Sequence, residues 1–191
     1  MNIQNFDYEF KFAFIFKMLN HCIMRLTFSL ILVLCLTACT HTYYIVRHAE
    51  KAIITDSVDK IKNDPPLSEA GRQRVAVLKE ILKGGHIADV FSTNTIRTKS
   101  TAQPVADYFG LIIQLYGPLP DSIFIEKLKK LKKNILVVGH SNTVDDIVNG
   151  LCHSKEIATD LQDNEYDNLF VVKYKNFFGT HIKFEHRKYG K

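Results

Sequence analysis

At 191 residues the chain has room for one ordinary domain with a sizeable core. With 46% hydrophobic and 24% charged residues, its composition excludes a disordered or fibrous protein. The net charge of +5 is modest, and much of it (Lys127, Lys129, Lys130, Lys132, Lys133) falls on one expected helix without interleaved aromatic residues, the pattern of a solvated face rather than of a nucleic-acid surface.

The first 23 residues are rich in phenylalanine (Phe6, Phe10, Phe12, Phe14, Phe16) and show no folded pattern. Met24-Arg25 then precedes an apolar run from Leu26 to Leu34, followed by Leu36-Thr37-Ala38-Cys39. A basic start, an apolar stretch and small residues before a cut describe a secretory signal peptide. The run is short for a membrane span, which needs about 20 residues. Its ending resembles the bacterial lipobox, in which the cysteine is acylated and becomes the mature N-terminus. The expected organisation is a leader over 1–39 and a domain over 40–191, with translation starting at Met24 or Met18 and a lipid on Cys39. That makes the protein a membrane-anchored lipoprotein of the periplasm or cell surface. Cys22, Cys35 and Cys39 lie in the leader, so Cys152 alone is left in the body and no disulfide framework can form there. Cys152 reads as an apolar filler, and His153 lacks a second ligand at metal spacing.

The body opens on Thr42–Val46, an apolar, β-rich run that stops at Arg47-His48 as a buried parallel strand would. A polar loop from Lys51 to Pro66 follows, with Asp56, Asp59 and Asp64 in it, and its length beside a strand end fits the mouth of a site. Ser68 is the expected N-cap of a helix that Gly84-Gly85 ends, with Val75, Leu78, Ile81 and Leu82 on one stripe. Strand Ala88–Ser92 leads into a helix from about Arg97 to Phe109, containing Pro104 and stopped by Gly110. Arg97 at a helix start opposes the dipole, a conflict that a shared phosphate would remove. Strand Leu111–Leu115, a Gly117–Pro120 turn and an amphipathic helix Ser122–Lys132 come next. Strand Asn134–Gly139 runs straight into His140, and Asn142 or Thr143 caps a helix reaching Asn149 or Leu151. After an acidic stretch, Leu169–Tyr174 and His181–His186 form a hairpin around Gly179. The alternation predicts an α/β fold, a three-layer α/β/α sandwich whose mainly parallel sheet ends in an antiparallel hairpin.

Arg47, His48, Arg97 and His140 thus fall at or just past strand ends, the edge of an open α/β sheet where ligands bind. Two arginines and two histidines without an acidic cluster describe a phosphoryl pocket. These residues resemble the histidine phosphatase superfamily, whose hallmark Arg-His-Gly stands here as Arg47-His48-Ala49. The resemblance continues through Pro66-Leu67-Ser68-Glu69-Ala70-Gly71-Arg72, through Ser92 to Arg97-Thr98-Lys99-Ser100-Thr101-Ala102, and through Val138-Gly139-His140-Ser141-Asn142. It spans Tyr43 to about Tyr174 and implies a phosphoglycerate mutase-like fold that tolerates Pro104 in its helix. With no cap domain, the compact body is similar to the small phosphohistidine phosphatases.

What the resemblance implies is hydrolysis of a phosphomonoester or phosphoramidate, with His48 as the nucleophile that becomes a phosphohistidine. Neutral imidazole suits that role near pH 7, its ordinary pKa being about 6.5. Arg47, Arg97 and His140 would clamp the phosphoryl oxygens. Ser92 and Asn142 are further substrate-binding candidates that equally suit a turn or a helix cap. No cofactor is implied, and the arginines would repel a metal held by His48 and His140. The general acid is unassigned: Ser141 stands where one branch has aspartate, and no glutamate motif follows the third strand, leaving Asp121 and Glu50 as the nearest carboxylates. A lipoprotein that binds a phosphate ligand without turnover is the alternative, and a phosphomutase, which needs two phosphate subsites, a weaker one. His41, His86, His181 and His186 read as structural or exposed.

Overall fold

A computed structural model describes residues 16–21, 23–28, 40–54, 63–176 and 179–190. The chain divides into two compact units, Met1–Cys39 and Thr40–Lys191. In the first, residues 16–21 and 23–28 are helical. Cys39 and most of the apolar run before it lie outside the described residues. No helix among the described residues is long and apolar enough to cross a membrane.

The second unit is a six-stranded sheet between two helical layers. In chain order its elements are β1 (Thr40–Arg47), α1 (Glu69–Leu82), β2 (Asp89–Ser92), α2 (Ile96–Phe109), β3 (Ile113–Leu115), α3 (Ser122–Leu131), β4 (Ile135–Gly139), α4 (Val144–Cys152), β5 (Asn168–Asn176) and β6 (Thr180–Lys188). The strands are ordered β3-β2-β4-β1-β5-β6. The first four are mutually parallel, while β5 runs antiparallel to β1 and β6 antiparallel to β5.

Alternation along the strands divides the core in two. Tyr43, Ile45, Val137 and Phe170 face α3 and α4, meeting Phe124, Leu128, Ile147 and Leu151. Val46, Val90, Leu136 and Val138 face α1 and α2, meeting Leu78, Leu82, Val105 and Ala106. Central strands buried on both faces need the near-continuous apolar runs that the sequence carries at β1 and β4.

The helix ends follow their local chemistry. The Ser68 hydroxyl accepts from the Gly71 amide and caps α1, and Gly110 closes α2 at φ 66°. Thr95 caps α2, and its hydroxyl accepts from the Thr98 amide. Of the two residues expected to cap α4, Thr143 holds the position. The hairpin strands run on to Asn176 and Lys188, because the β5–β6 ladder pairs Asn176 with Thr180 and continues past the last apolar residue. His41 is buried between the rings of Tyr43 and Tyr174.

Gly71 marks where α1 meets the loop after β1. A Cβ there would lie 2.3 Å from the Glu50 carbonyl oxygen, which itself accepts from the Ser68 amide. Gly71→Ala is therefore expected to push the helix off that loop and to destabilise the domain by about 1–3 kcal/mol. Thermal unfolding should show a melting temperature lower by roughly 2–4 °C for each kcal/mol lost.

Candidate active site

The pairing of β1 with β4 builds the centre of the site. Arg47 lies opposite Gly139 in the parallel register, and the His48 amide donates to the Gly139 carbonyl at 2.9 Å. His48 and His140 therefore leave neighbouring strand ends side by side, their rings 5.4 Å apart and inclined at 68°. Gly139 is required by the turn that follows: a Cβ would meet the Thr143 hydroxyl at 2.9 Å. That hydroxyl accepts from the His140 amide, and the His140 Nε2 shares a 2.8 Å hydrogen bond with the Thr93 hydroxyl.

Arg47 is 3% exposed and fixed by the segment before β5. Its Nη1 donates to the carbonyls of Gln162 (2.7 Å) and Asp163 (3.2 Å), and its guanidinium lies 4.1 Å from the centre of the Tyr166 ring. Its Nε is buried and has no partner among the described residues. Arg97, in the first turn of α2, donates from Nη1 to Asp64 at 3.1 Å. The same carboxylate accepts from the Ile96 amide at 2.8 Å. Asp64 thus supplies the anion that this helix start needs, and the conflict with the dipole is resolved within the chain. Thr101 joins the two halves of the site, accepting from the Ala49 amide at 3.0 Å and donating to the Arg97 carbonyl at 2.8 Å.

The protonation states follow. His48 Nδ1 lies 2.8 Å from the Ala49 carbonyl, which can only accept, so Nδ1 carries the proton and Nε2 keeps its lone pair. Burial, reinforced by the charges of Arg47 and Arg97, pulls the His48 pKa down to about 3 against the opposing bond to Ala49. Burial and then the same two arginines take His140 to about 4. Both rings are neutral near pH 7.

The four principal candidates, Arg47, His48, Arg97 and His140, are thus brought together. The others are not. The Ser92 hydroxyl is buried and donates to the Thr93 carbonyl, a strand-end role. Asn142 is exposed in the turn before α4. Asp121 is the N-cap of α3, its carboxylate accepting from the Phe124 amide at 2.8 Å. Glu50 is spanned by Arg74 through bonds of 2.6 and 2.9 Å; burial alone would raise its pKa, but Arg74 holds it below the usual range. Neither is placed as an acid, because each carboxylate already has a structural partner. Tyr166, Asp64, Thr93 and Thr101 were not singled out by the sequence, although Asp64 stands in the loop expected at the mouth. Of the described residues of that loop, Lys51–Ile54, Asn63 and Pro65 line a cleft of about 490 Å³ beside Arg97 and Tyr166.

The sequence model described as the histidine phosphatase superfamily (branch 1) matches residues 43–119. No curated protein sequence matches the chain. Among solved structures, the protein histidine phosphatase SixA in complex with tungstate superposes with a TM-score of 0.58 at 19% identity, covering 77% of this chain and 96% of that one. A mycobacterial glucosyl-3-phosphoglycerate phosphatase gives 0.54 at 12% identity, covering 79% and 99%. A protein titled mycobacterial hydrolase 2 gives 0.55 at 12% identity, covering 79% and 91%. Residues 43–119 thus match the sequence model of the histidine phosphatase superfamily, and the second unit has the fold of these structures.

Proposed function

We propose that the protein is a metal-independent phosphatase that works through a phosphohistidine on His48. The observation that carries this reading is the lone pair of a buried, neutral imidazole set between two arginines. His48 Nε2 forms a bond to phosphorus while the bond to the leaving oxygen or nitrogen breaks. The electron pair departs with the leaving group, which takes a proton from solvent, and water then cleaves the phosphorus–nitrogen bond to release inorganic phosphate. Arg47, Arg97 and His140 stabilise the charge on the non-bridging oxygens, the main task in a loose phosphoryl transfer.

The carboxylates of this neighbourhood narrow the substrate. Glu50 is held by Arg74 and Asp64 by Arg97, so neither is positioned to protonate a poor leaving group. The reading therefore favours leaving groups that need little acid help, phosphoramidates and aryl phosphates. The same absence favours the alternative of a phosphate-binding protein without turnover.

Aryl phosphate hydrolysis in excess chelator decides between them. The protein should turn over, and His48→Ala should lower the rate to background while inorganic phosphate still binds. Binding without turnover in the unsubstituted protein would establish the alternative.

The pH profile tests the electrostatics. Protonation of His48 removes the nucleophile, and its depressed pKa moves that loss to acid. Corrected for ionisation of the substrate phosphate, kcat/KM should hold from pH 8 through 6.5 and fall only towards pH 4 and below. An acid limb centred at 6.5 would contradict the burial described. Stability should decline earlier, from about pH 6.5 down to about pH 3, because both histidines take up protons near pH 6.5 when unfolded but only near pH 4 and 3 when folded.

The leader supports placing this activity outside the cytoplasm, anchored by a lipid on Cys39. Cys39→Ala should abolish incorporation of labelled fatty acid and release the protein from the membrane fraction; an unprocessed N-terminus by intact mass in the native host would oppose the assignment.

A further inference from the structure

Strand β1 begins at Thr40, the residue bonded to Cys39, so anything attached to that cysteine joins the domain at the start of β1. The candidate active site lies past the other end of the same strand, a rise of roughly 23 Å away. Register identifies what surrounds the starting edge. Thr40 lies opposite Lys175 of β5, and Lys175 opposite His181 of β6. On the other flank the Thr42 amide donates to the Asn134 side chain at 2.8 Å, which brings the end of α3 alongside. Lys132 closes that helix at φ 50°, and its charge, after burial, lowers the pKa of His41 in β1. Lys130, Lys132 and Lys175 are exposed and have no ion-pair partner among the described residues, whereas Lys129 and Lys133 are paired with Glu126 and Asp89. The opposite edge carries the reverse sign. Asp146, Asp160 and Asp163 are exposed near the turn after His140, where the Leu161 amide donates to the Ser141 carbonyl. Helix dipoles account for Lys130 and Asp146 at their helix ends, but not for Lys175 or Asp163, which lie on a strand and in a loop.

We propose that the edge around Thr40, with Lys130, Lys132 and Lys175, docks on an anionic bilayer surface, so that the phosphoryl site opens away from the membrane into water. The inference rests on the lipid attachment proposed for Cys39 and adds to it an orientation. No residue separates Cys39 from β1, so the lipid has no linker on which the domain could turn over. A lysine near an anionic surface is attracted to it, and the attraction fades within a Debye length of about 8 Å at physiological salt. The lysines of the starting edge fall within that range when the anchor is inserted. The acidic rim, roughly 23 Å further out, falls beyond it. One edge is drawn to the headgroups and the other is not repelled by them. The phosphorylated substrate then arrives from the aqueous side and not from the headgroups of the bilayer that holds the protein.

Partition onto vesicles tests the charges apart from the anchor. The full chain carrying Cys39→Ala, which lacks the lipid but keeps every lysine, is mixed with phosphatidylcholine vesicles made with and without phosphatidylglycerol. Lys132→Gln with Lys175→Gln should lower the preference for the phosphatidylglycerol vesicles by roughly tenfold. Lys99→Gln with Lys188→Gln removes the same charge at the site edge and should change that preference by less than about twofold. The leader is common to all variants and cancels in the comparison. Equal losses from the two pairs, or no loss from either, would overturn the inference while leaving the lipid attachment intact. Absence of labelled fatty acid on Cys39 in the unsubstituted protein would remove the anchor, and the orientation with it. The lipidated protein should also hydrolyse a soluble aryl phosphate with the same kcat/KM on phosphatidylglycerol vesicles as in detergent. A large fall on the vesicles would put the site against the bilayer and overturn the orientation. The partition measurement reads the docking edge whether or not the protein turns over.

Discussion

The register between β1 and β4 is the constraint from which the site follows. Arg47 opposite Gly139, with the His48 amide on the Gly139 carbonyl, puts two imidazoles at adjacent strand ends. A slip of one residue would turn every side chain of β1 to the opposite face of the sheet. Such a slip is opposed by the core itself, since Tyr43 and Ile45 pack towards α3 and α4 while Val46 packs towards α1 and α2. The position of His48 is thus set by apolar packing on both faces of one strand. Polar contacts only trim it: Thr143 tightens the turn after His140, and Thr101 joins the loop after His48 to α2.

The site balances its charges by an arrangement that differs from residue to residue. Arg47 is satisfied by neutral carbonyls and an aromatic ring, so its charge is fixed in place without being cancelled at close range; its nearest carboxylate contact, Asp163, is at 3.8 Å on an exposed side chain. Arg97 has a carboxylate at 3.1 Å, itself bound to a helix N-terminus. The first arrangement keeps a strong field beside His48, while the second fixes the geometry of Arg97. Burial first, and that field after it, keep both histidines unprotonated, so the charged and neutral groups of the site are electrostatically matched.

Much of this was legible because it is local. Apolar runs ending in Arg-His and Gly-His mark strand ends, and a serine followed by a helical stripe marks a cap. Arg47, His48 and His140 were found in this way, and Arg97 from its place just beyond another strand. What escaped depends on contacts between distant parts of the chain. Asp64 meets α2 more than thirty residues later, and Tyr166 reaches Arg47 from the segment before β5. Their own neighbours in sequence carry no periodicity or motif that announces either role. Glu50 and Asp121 illustrate the converse: standing near the right place in the chain, each is claimed by a partner, Arg74 or a helix end, that proximity in sequence does not reveal.

Sheet order also governs when the protein can become functional. The strand leading to His48 lies between β4 and β5, both supplied by later parts of the chain. Its closing contacts come later still, since Arg74, the residue that holds Glu50, also donates to the carbonyl of Tyr189. During synthesis the early segment therefore waits with half-finished neighbours, and long-range pairings of this kind form slowly. Under the export proposed above, that delay would be useful: the site would assemble only after nearly all of the polypeptide had crossed.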